Sequence, residues 1–121
     1  MSRRRILFVD DEPQVLEGLR DLLWRQRRQL DLEFAAGAEA ALAALAERPF
    51  HAVVADLRMP GMDGATLLER VQHDHPAVAR IILSGEAEQG TMLRALSVAD
   101  HFLGKPCDLS VLLAAIGGRP P

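Results

Sequence analysis

The feature that most constrains this chain is a series of five short apolar runs, separated by longer segments with helical spacing. The runs show little alternation between apolar and polar residues, which is typical of strands buried on both faces of a parallel sheet. Regular alternation of strands and helices indicates right-handed βαβ units. The predicted strands cover residues 6–9, 32–35, 52–55, 81–83 and 101–103.

The intervening segments carry apolar residues three and four positions apart, which predicts helices with one buried face each. Pro13 suits the start of the first helix, Asp63 suits the N-cap of the third, and Asp108 leads into the fifth. The second helix is expected to end before Pro49. We therefore predict a doubly wound α/β fold, a five-stranded parallel sheet flanked by five helices. The apolar stripes are Val15, Leu16, Leu19, Leu22 and Leu23; Ala38, Ala41, Leu42 and Leu45; Leu67, Leu68 and Val71; Met92, Leu93 and Leu96; and Leu109, Leu112, Leu113 and Ile116.

Length and composition indicate one globular domain. The chain has 121 residues, of which 49% are hydrophobic and 26% charged, and these values are ordinary for a single folded domain. No apolar run approaches the roughly 20 residues that span a bilayer. The basic start is followed by a short apolar block, residues 6–9, whereas a secretory signal peptide needs a longer one. We therefore expect a cytoplasmic protein without a membrane partner.

Cysteine content and charge exclude several kinds of site. Cys107 is the single cysteine, so an internal disulfide and a cysteine-based zinc site are excluded. The net charge of −3 does not favour a direct nucleic-acid partner. Two arginine clusters, in residues 3–5 and 25–28, are interpreted as solvated edges, because nothing aromatic is interleaved with them except Trp24.

Reactive polar residues follow four of the five predicted strands. Asp10 and Asp11 follow the first strand and Asp56 the third, while Ser84 follows the fourth and Lys105 lies just after the fifth. Ligands of open parallel sheets bind beyond the carboxyl ends of the strands, so these side chains are expected to meet at one edge. A charged residue at the end of a buried strand is costly unless it is paired or binds a metal. The joint placement therefore favours a functional site over unrelated turns.

A pocket with three carboxylates and one lysine would be strongly negative. Two carboxylates about 4 Å apart repel by roughly 4 kcal/mol at an effective dielectric constant near 20. A hard divalent cation relieves this repulsion, and Mg²⁺ typically takes one or two carboxylates. A carboxylate nucleophile beside Mg²⁺ and lysine suits phosphoryl transfer, in which positioning and charge neutralisation do most of the work. Asp56 is then the expected nucleophile, with Lys105 and Ser84 contacting phosphoryl oxygens.

Four short motifs resemble the receiver domain of two-component response regulators, over nearly the whole chain from Arg5 to about Ile116. They occur in the order of that family and at the predicted strand ends. The resemblance implies a flavodoxin-like fold with strand order 2-1-3-4-5. It also implies a signalling domain, not a turnover enzyme, that takes a phosphoryl group from a histidine kinase or phosphotransfer protein. The motifs are Phe8-Val9-Asp10-Asp11-Glu12, Asp56-Leu57-Arg58-Met59-Pro60-Gly61-Met62-Asp63-Gly64, Leu83-Ser84-Gly85 and Lys105-Pro106.

The same resemblance implies the roles of the acids and of the metal. Asp56 would be the phosphoacceptor and would share Mg²⁺ with Asp11, its direct ligand. Asp10 would be the neighbouring helper, acting on the metal through water. Arg58, two residues after the acceptor, would give its main-chain carbonyl to the metal.

A switch pair also follows from the resemblance. The Ser84 hydroxyl would move to the phosphoryl group while the Phe102 ring turns inward. Serine stands here where threonine is more frequent, and phenylalanine lacks the hydroxyl of the tyrosine often found at its position. The Lys105–Pro106 bond would be cis, against roughly 5–6% for bonds to proline in general. Arg58 and Glu86 occupy positions that tune the phosphoryl lifetime in this family.

Domain organisation and partners complete these expectations. Residues 1–116 are expected to form the receiver domain, and residues 117–121 a linker or C-terminal tail to an output domain outside this sequence. Two stretches, 83–86 and 104–108, resemble receivers fused to HDOD or HD-GYP output domains. A kinase is expected to dock on the first helix. The signal would pass through residues 89–98 and 100–116 to the output domain, to a partner protein or to a second copy of the chain.

Three other functions remain open from the sequence. An aspartyl-nucleophile phosphatase usually carries a second acid two residues after the nucleophile, where this chain has Arg58. A flavin- or nucleotide-binding domain needs a glycine-rich phosphate loop after the first strand, where Asp11-Glu12-Pro13 stands. A degenerate receiver would serve only as an interaction module, and the intact Asp11, Asp56 and Lys105 argue against it.

Overall fold

Strands and helices alternate along the chain as the sequence predicts. The structure, a computed structural model, describes residues 3–85, 89–105 and 107–117, with residues 89–92 described through their backbone alone. A short 3₁₀ turn, Trp24–Gln26, follows the first helix. The strands are β1 (Arg4–Val9), β2 (Leu30–Ala35), β3 (Ala52–Ala55), β4 (Ala79–Ser84) and β5 (His101–Gly104). The helices are α1 (Pro13–Leu22), α2 (Ala38–Glu47), α3 (Gly64–Asp74), α4 (Gln89–Val98) and α5 (Leu109–Ile116).

The five strands form one parallel sheet in the order β2-β1-β3-β4-β5. The register sets Val9 beside Ala55, so β1 and β3 end at the same level of the sheet. At the other end of the order, Ser84 lies beside Gly104. The predicted doubly wound, flavodoxin-like fold and its strand order are confirmed. The carboxyl ends of β1, β3, β4 and β5 consequently lie along one continuous edge.

Each face of the sheet carries its own hydrophobic core. Leu7 and Val9 of β1 point into the core under α2, α3 and α4. Ile6 and Phe8 of the same strand point into the core under α1 and α5. Successive strand residues face opposite sides, so a strand covered on both faces has to be apolar throughout. Each of these side chains contributes about 1.5–3 kcal/mol through burial.

Local signals fix where two of the helices begin. Pro13 is the first residue of α1, where its missing N–H costs no hydrogen bond. Asp63 caps α3, because its Oδ1 accepts a hydrogen bond of 2.8 Å from the backbone N–H of Thr66. Both predictions are confirmed. Asp108 is the N-cap of α5 by position, without a side-chain hydrogen bond to that helix.

The predicted apolar stripes of α4 and α1 are partly wrong. Leu93 and Leu96 of α4 are 64% and 50% exposed, and among residues 93–98, whose side chains are described, this helix buries Ala95 and Val98. Small Ala95 lets α4 pack closely, which leaves the larger residues of the neighbouring stripe outside. Leu22, placed in the α1 stripe, is likewise 43% exposed.

Several expectations fall on residues that the structure does not describe. The cis Lys105–Pro106 bond and the role of Glu86 lie outside the described residues, as does the Met92 side chain. The predicted tail is described only at Gly117, the C-cap of α5. In the part of the chain that is described, no helix has the length and apolar character needed to cross a bilayer.

Candidate functional site

The sheet brings the reactive residues predicted from the sequence to one edge. Asp10 and Asp56 are the first residues after β1 and β3, Ser84 ends β4 and Lys105 follows β5. Backbone hydrogen bonds extend the pairing one step beyond the strands. The Asp56 N–H donates to the Val9 carbonyl at 3.0 Å, and the Lys105 N–H to the Ser84 carbonyl at 3.3 Å. The side chains are thus held at the level where the strands end.

Asp10, Asp11 and Asp56 converge into one acidic cluster. Each offers a carboxylate oxygen that lies within 4.8 Å of those of the other two. Asp10 and Asp56 are 2% and 8% exposed, whereas Asp11 is half-buried. Buried carboxylates this close are costly unless a cation compensates them. The cluster is therefore the strongest candidate for a cation site among the described residues.

Lys105 supplies part of that compensation. Its Nζ lies 3.1 Å from Asp10 Oδ2 and 3.7 Å from Asp56 Oδ1. The other oxygen of Asp10 accepts a hydrogen bond of 2.9 Å from the backbone N–H of Glu12. The chain itself therefore holds both oxygens of Asp10. One ammonium beside three carboxylates leaves the hollow with surplus negative charge.

Asp56 is the acid whose protonation the fold perturbs most clearly. Burial raises its pKa above the ordinary aspartate value, and the Asp10 and Asp11 carboxylates raise it further. Two groups act in the opposite direction, the Lys105 ammonium and a hydrogen bond with the Ser84 side chain. The net shift is upward, so the metal-free fold disfavours the charge on Asp56.

The cluster has the donor set that a hard divalent cation requires. Carboxylate oxygens are the preferred ligands of Mg²⁺, which usually binds one or two carboxylates and keeps several waters. Three carboxylates meet here, one of them half-exposed at the open side of the hollow. The residues present therefore fit a magnesium ion.

The other predicted site residues differ in their burial and contacts. Ser84 is 6% exposed, and its hydroxyl contacts the Asp56 carboxylate. Phe102 is half-buried and packs against the core under α2, α3 and α4. The side chain of Arg58 is exposed, in the loop between Asp56 and α3.

Gly64 packs directly against the main chain of Asp56, a role that the sequence did not predict. A Cβ at this position would lie 2.2 Å from the carbonyl oxygen of Asp56, closer than any side chain tolerates. Its backbone N–H also donates to the Leu57 carbonyl at 2.9 Å. The sequence predicts an N-cap at Asp63 and contains Gly64 only as the last residue of the second motif. A glycine at the first position of a helix, where helix propensity disfavours it, was the available signal.

Arg94 of α4 forms a second set of contacts that the sequence did not indicate. Its guanidinium donates to Thr66 Oγ1 and to Glu69 Oε1, both at 2.8 Å, and lies 3.4 Å from Asp63 Oδ2. These contacts join α4 to the start of α3. Because the partners of Arg94 lie 25 to 31 residues earlier in the chain, no local sequence pattern predicts these contacts.

Comparisons with known proteins agree with this geometry. The family model of the response regulator receiver domain matches residues 6–117. Among curated relatives, the response regulator protein PilR of Pseudomonas aeruginosa is 35% identical over 113 residues, which cover 93% of this chain and 25% of that protein. The DNA-binding transcriptional regulator NtrC of Escherichia coli K12 is 34% identical over 120 residues, 96% of this chain and 24% of that one. The chain thus spans about a quarter of the length of these relatives.

Solved structures give the same result. The signal receiver domain of an HD domain-containing protein from Pseudomonas fluorescens Pf-5 is 34% identical, with a TM-score of 0.89 over 97% of this chain and 94% of that one. A CheY-like receiver domain protein from Methanospirillum hungatei is 30% identical, with a TM-score of 0.87 over 97% of this chain and 93% of that one. The chain belongs to the response regulator receiver domain family.

Proposed function

We propose that this chain accepts a phosphoryl group on Asp56, with the help of Mg²⁺ and Lys105, and that the modified domain signals through a change of conformation. Membership of the receiver family supports the general role. The observation that carries the specific proposal is the acidic cluster itself. Asp10, Asp11 and Asp56 offer oxygens within 4.8 Å of one another, beside the Lys105 ammonium.

The contacts of the acids suggest a division of roles. Both oxygens of Asp10 are already engaged, by Lys105 and by the Glu12 N–H. We therefore assign Asp11 and Asp56 as direct metal ligands, with Asp10 acting at one remove. The main-chain carbonyl of Arg58 is the proposed further ligand. When bound, Mg²⁺ would neutralise the carboxylates and the charge on the phosphoryl oxygens.

The transfer step needs little more than position and charge. A carboxylate oxygen of Asp56 forms a bond to phosphorus while the bond between phosphorus and the donor atom breaks, and its electron pair leaves with the donor. Lys105, with Nζ 3.7 Å from Asp56 Oδ1, is placed to donate to a phosphoryl oxygen. Ser84, which contacts the Asp56 carboxylate in this state, would donate to another.

We assign the output to the face formed by α4, β5 and α5. Phosphorylation would favour the state in which Ser84 and Phe102 have moved inward. The face exposes three large apolar side chains, Leu93, Leu96 and Val111, which is the character of a surface that another protein covers. A partner protein, an output domain or a second copy of the chain would dock there.

The phosphoryl donor would be a histidine kinase or phosphotransfer protein that docks on α1. We infer that residues 1–116 act as the receiver unit and that residues 117–121 lead toward an output domain. The similar receiver from an HD domain-containing protein supports an output of the HDOD or HD-GYP kind. Such an output would bind protein or act on a cyclic dinucleotide, with no direct role for DNA.

Incubation with acetyl phosphate and Mg²⁺ tests the proposal. The expected result is one acid-stable, base-labile phosphoryl group per chain, seen as a shift in intact mass. Asp56→Asn should abolish the shift, and beryllofluoride should protect the wild-type chain against thermal unfolding only when Mg²⁺ is present. Asp74→Asn is the matched control, because Asp74 lies at the far end of α3 and is well exposed.

The rival functions give different outcomes in the same experiment. No modification, together with no effect of beryllofluoride, would favour an interaction module without phosphoryl chemistry. Sustained release of phosphate from p-nitrophenyl phosphate would favour a phosphatase. Arg58, at the place where such phosphatases carry their second acid, leads us to expect no turnover.

A further inference from the structure

The two arginine clusters of the sequence meet at a surface that includes none of the residues of the acidic cluster. We call it the tryptophan–arginine surface and define it by the residues that line a hollow of about 210 Å³. Arginine and tryptophan form its rim, and three apolar side chains of β2 form its floor. Its lining consists of Arg3, Arg20, Trp24, Arg27, Leu30, Asp31, Leu32 and Phe34.

Contacts within the chain order the rim of this surface. The Arg27 guanidinium lies 4.1 Å from the centre of the Trp24 ring, and its Nη1 donates to the Trp24 carbonyl at 2.8 Å. Arg3 Nη1 donates to the Arg27 carbonyl at 2.8 Å and so links the start of β1 to the turn. Trp24 is nevertheless 54% exposed. An indole kept at the surface by ordered neighbours is a common anchor in protein interfaces.

The charge of the surface is strongly one-sided. Three arginines line the hollow, and the exposed Arg25 and Arg28 lie beside it in the same turn. Asp31 is the one acid among the described lining residues, and the Arg5 Nε lies 3.3 Å from its carboxylate and 3.3 Å from that of Glu33. This positive patch stands out on a chain whose net charge is −3. It would attract a partner that carries negative charge.

The floor of the hollow adds an apolar requirement. Leu30, Leu32 and Phe34 share one side of β2, the outermost strand of the sheet. The guanidinium of Arg20 lies 4.6 Å from the centre of the Phe34 ring and forms one wall. Pockets for drug-sized ligands have volumes of roughly 300–1,000 Å³. The smaller hollow here suits one large apolar side chain.

We propose that the tryptophan–arginine surface binds an acidic segment of a partner protein, whose carboxylates meet the arginine rim while one apolar side chain enters the hollow. Two features of the surface favour this occupant over single-stranded nucleic acid. Arg27 already covers a face of the single exposed indole, which removes a platform for base stacking. The apolar floor would offer nothing to a phosphate.

This binding does not require a phosphoryl group on Asp56, and labelling with acetyl phosphate tests Asp56 without the kinase that is proposed to dock on α1, the helix of Arg20. Arg3, Leu30 and Asp31 lie where β1 and β2 begin, whereas the acidic cluster lies where the strands end. A failure of phosphorylation would therefore leave this inference standing, and the reverse also holds. The two are tested separately.

Titration with a fluorescein-labelled Glu-Glu-Leu-Glu-Glu peptide tests the inference on the whole chain. The sequence contains one tryptophan and no tyrosine, so intrinsic emission reports on Trp24 directly. Binding should raise the anisotropy of the peptide, shift the Trp24 emission and weaken as salt is added. The double substitution Arg20→Gln, Arg27→Gln should weaken binding by about tenfold or more. Arg70→Gln, an exposed arginine on α3, should leave the affinity unchanged.

Matched probes and fold controls complete the experiment. A Glu-Glu-Ser-Glu-Glu peptide should bind more weakly, because it lacks the apolar side chain, and a Lys-Lys-Leu-Lys-Lys peptide should not bind. Circular dichroism and the melting temperature should show that each variant remains folded. The inference is overturned if the acidic peptide does not bind, or if the double variant binds it unchanged. Tighter binding of oligo-dT or of phosphatidylserine vesicles would also overturn it, in favour of a nucleic acid or a membrane.

Discussion

Asp56 combines two properties that conflict in the metal-free fold. It is 8% exposed, and it lies in a cluster with two further carboxylates. Burial and these neighbours raise its pKa, and Lys105 offsets them only in part because its Nζ lies closer to Asp10 than to Asp56. Ionised Asp56 therefore lowers the stability of the folded state until a cation compensates its charge.

Asp56→Asn should stabilise the metal-free protein at neutral pH. The folded-state pKa of Asp56 is higher than the unfolded one, so its ionisation costs folding free energy above that pKa and costs nothing below the unfolded pKa. The gain should thus be largest at neutral pH and disappear on acidification. Thermal unfolding in the presence of a chelator measures it, and 1 kcal/mol corresponds to roughly 2–8 °C for domains near this size.

Asp74→Asn is the control, because the pKa of Asp74 is shifted downward whereas that of Asp56 is shifted upward. His73 lowers the pKa of the Asp74 carboxyl, so removal of this charge should not stabilise the fold, and its exposure should keep the effect small. Equal melting temperatures for Asp56→Asn and the wild type across the whole pH range would contradict the crowding of charge at Asp56.

Gly64→Ala should destabilise the domain and disturb the acceptor loop. The added methyl would lie 2.2 Å from the Asp56 carbonyl oxygen, so the backbone on one side has to move, at a cost of about 1–3 kcal/mol. Chemical denaturation measures this loss, and the rate of acetyl phosphate labelling should fall with it. Gly18→Ala in α1 meets no atom within 4 Å and should instead stabilise by up to about 1 kcal/mol.

At the scale of elements, α3 connects the acceptor loop to α4. Its cap, Asp63, binds the Thr66 N–H through one carboxylate oxygen and faces the Arg94 guanidinium with the other. The Arg94 guanidinium also donates a hydrogen bond to Glu69, one turn beyond Thr66 on α3. The Asp63 side chain thus contacts both the start of α3 and the neighbouring helix α4.

Asp63→Ala and Asp63→Asn should separate the two contacts of this side chain. Alanine removes the cap and should cost about 1 kcal/mol of stability. Asparagine can still cap the helix but loses its charge, and exposed ion pairs are worth roughly 0–1 kcal/mol, so its cost should be smaller. Denaturant unfolding of both variants distinguishes them. Equal losses would show that the ion pair with Arg94 dominates and that capping does not.

The elements that the sequence predicted well are those whose signals are local. Continuous apolar runs located the central strands, and Pro13 and Asp63 located two helix starts. The buried face of α4 depends on how closely that helix packs against its neighbours. The sequence pattern favoured the larger Leu93 as a buried residue, whereas the structure buries the small Ala95. The same limit applies at the site. Strand ends placed the reactive residues together, but the contact of Gly64 with the Asp56 carbonyl exists only in three dimensions.

At the scale of the whole molecule, the sheet concentrates negative charge at one edge of an apolar interior. Two hydrophobic cores cover the faces of the sheet, and Asp10 and Asp56 are buried where its strands end. Repulsion among the buried carboxylates is therefore expected to lower the free energy of unfolding of the whole domain. A cation that binds only the folded state should raise that free energy again.

Addition of Mg²⁺ should raise the melting temperature in proportion to the logarithm of its free concentration above the dissociation constant. Chelator should reverse the rise. Asp11→Asn should reduce it strongly, because this substitution removes a carboxylate at the open side of the cluster, whereas Asp74→Asn should leave it intact. Differential scanning fluorimetry measures all four conditions. A rise of the same size in Asp11→Asn would place the ion elsewhere.

Two contacts hold the main chain at Asp56 in place. Its N–H donates a hydrogen bond to the Val9 carbonyl, and its own carbonyl packs against Gly64. These contacts limit how the protein can respond when a group is added to the Asp56 side chain. If Asp56 is phosphorylated, a retreat of this peptide unit cannot make room for the added dianion. The room would then have to come from Ser84, which ends β4, and from Lys105, which follows β5. In that case the main chain at Asp56 would keep its place while these two residues moved.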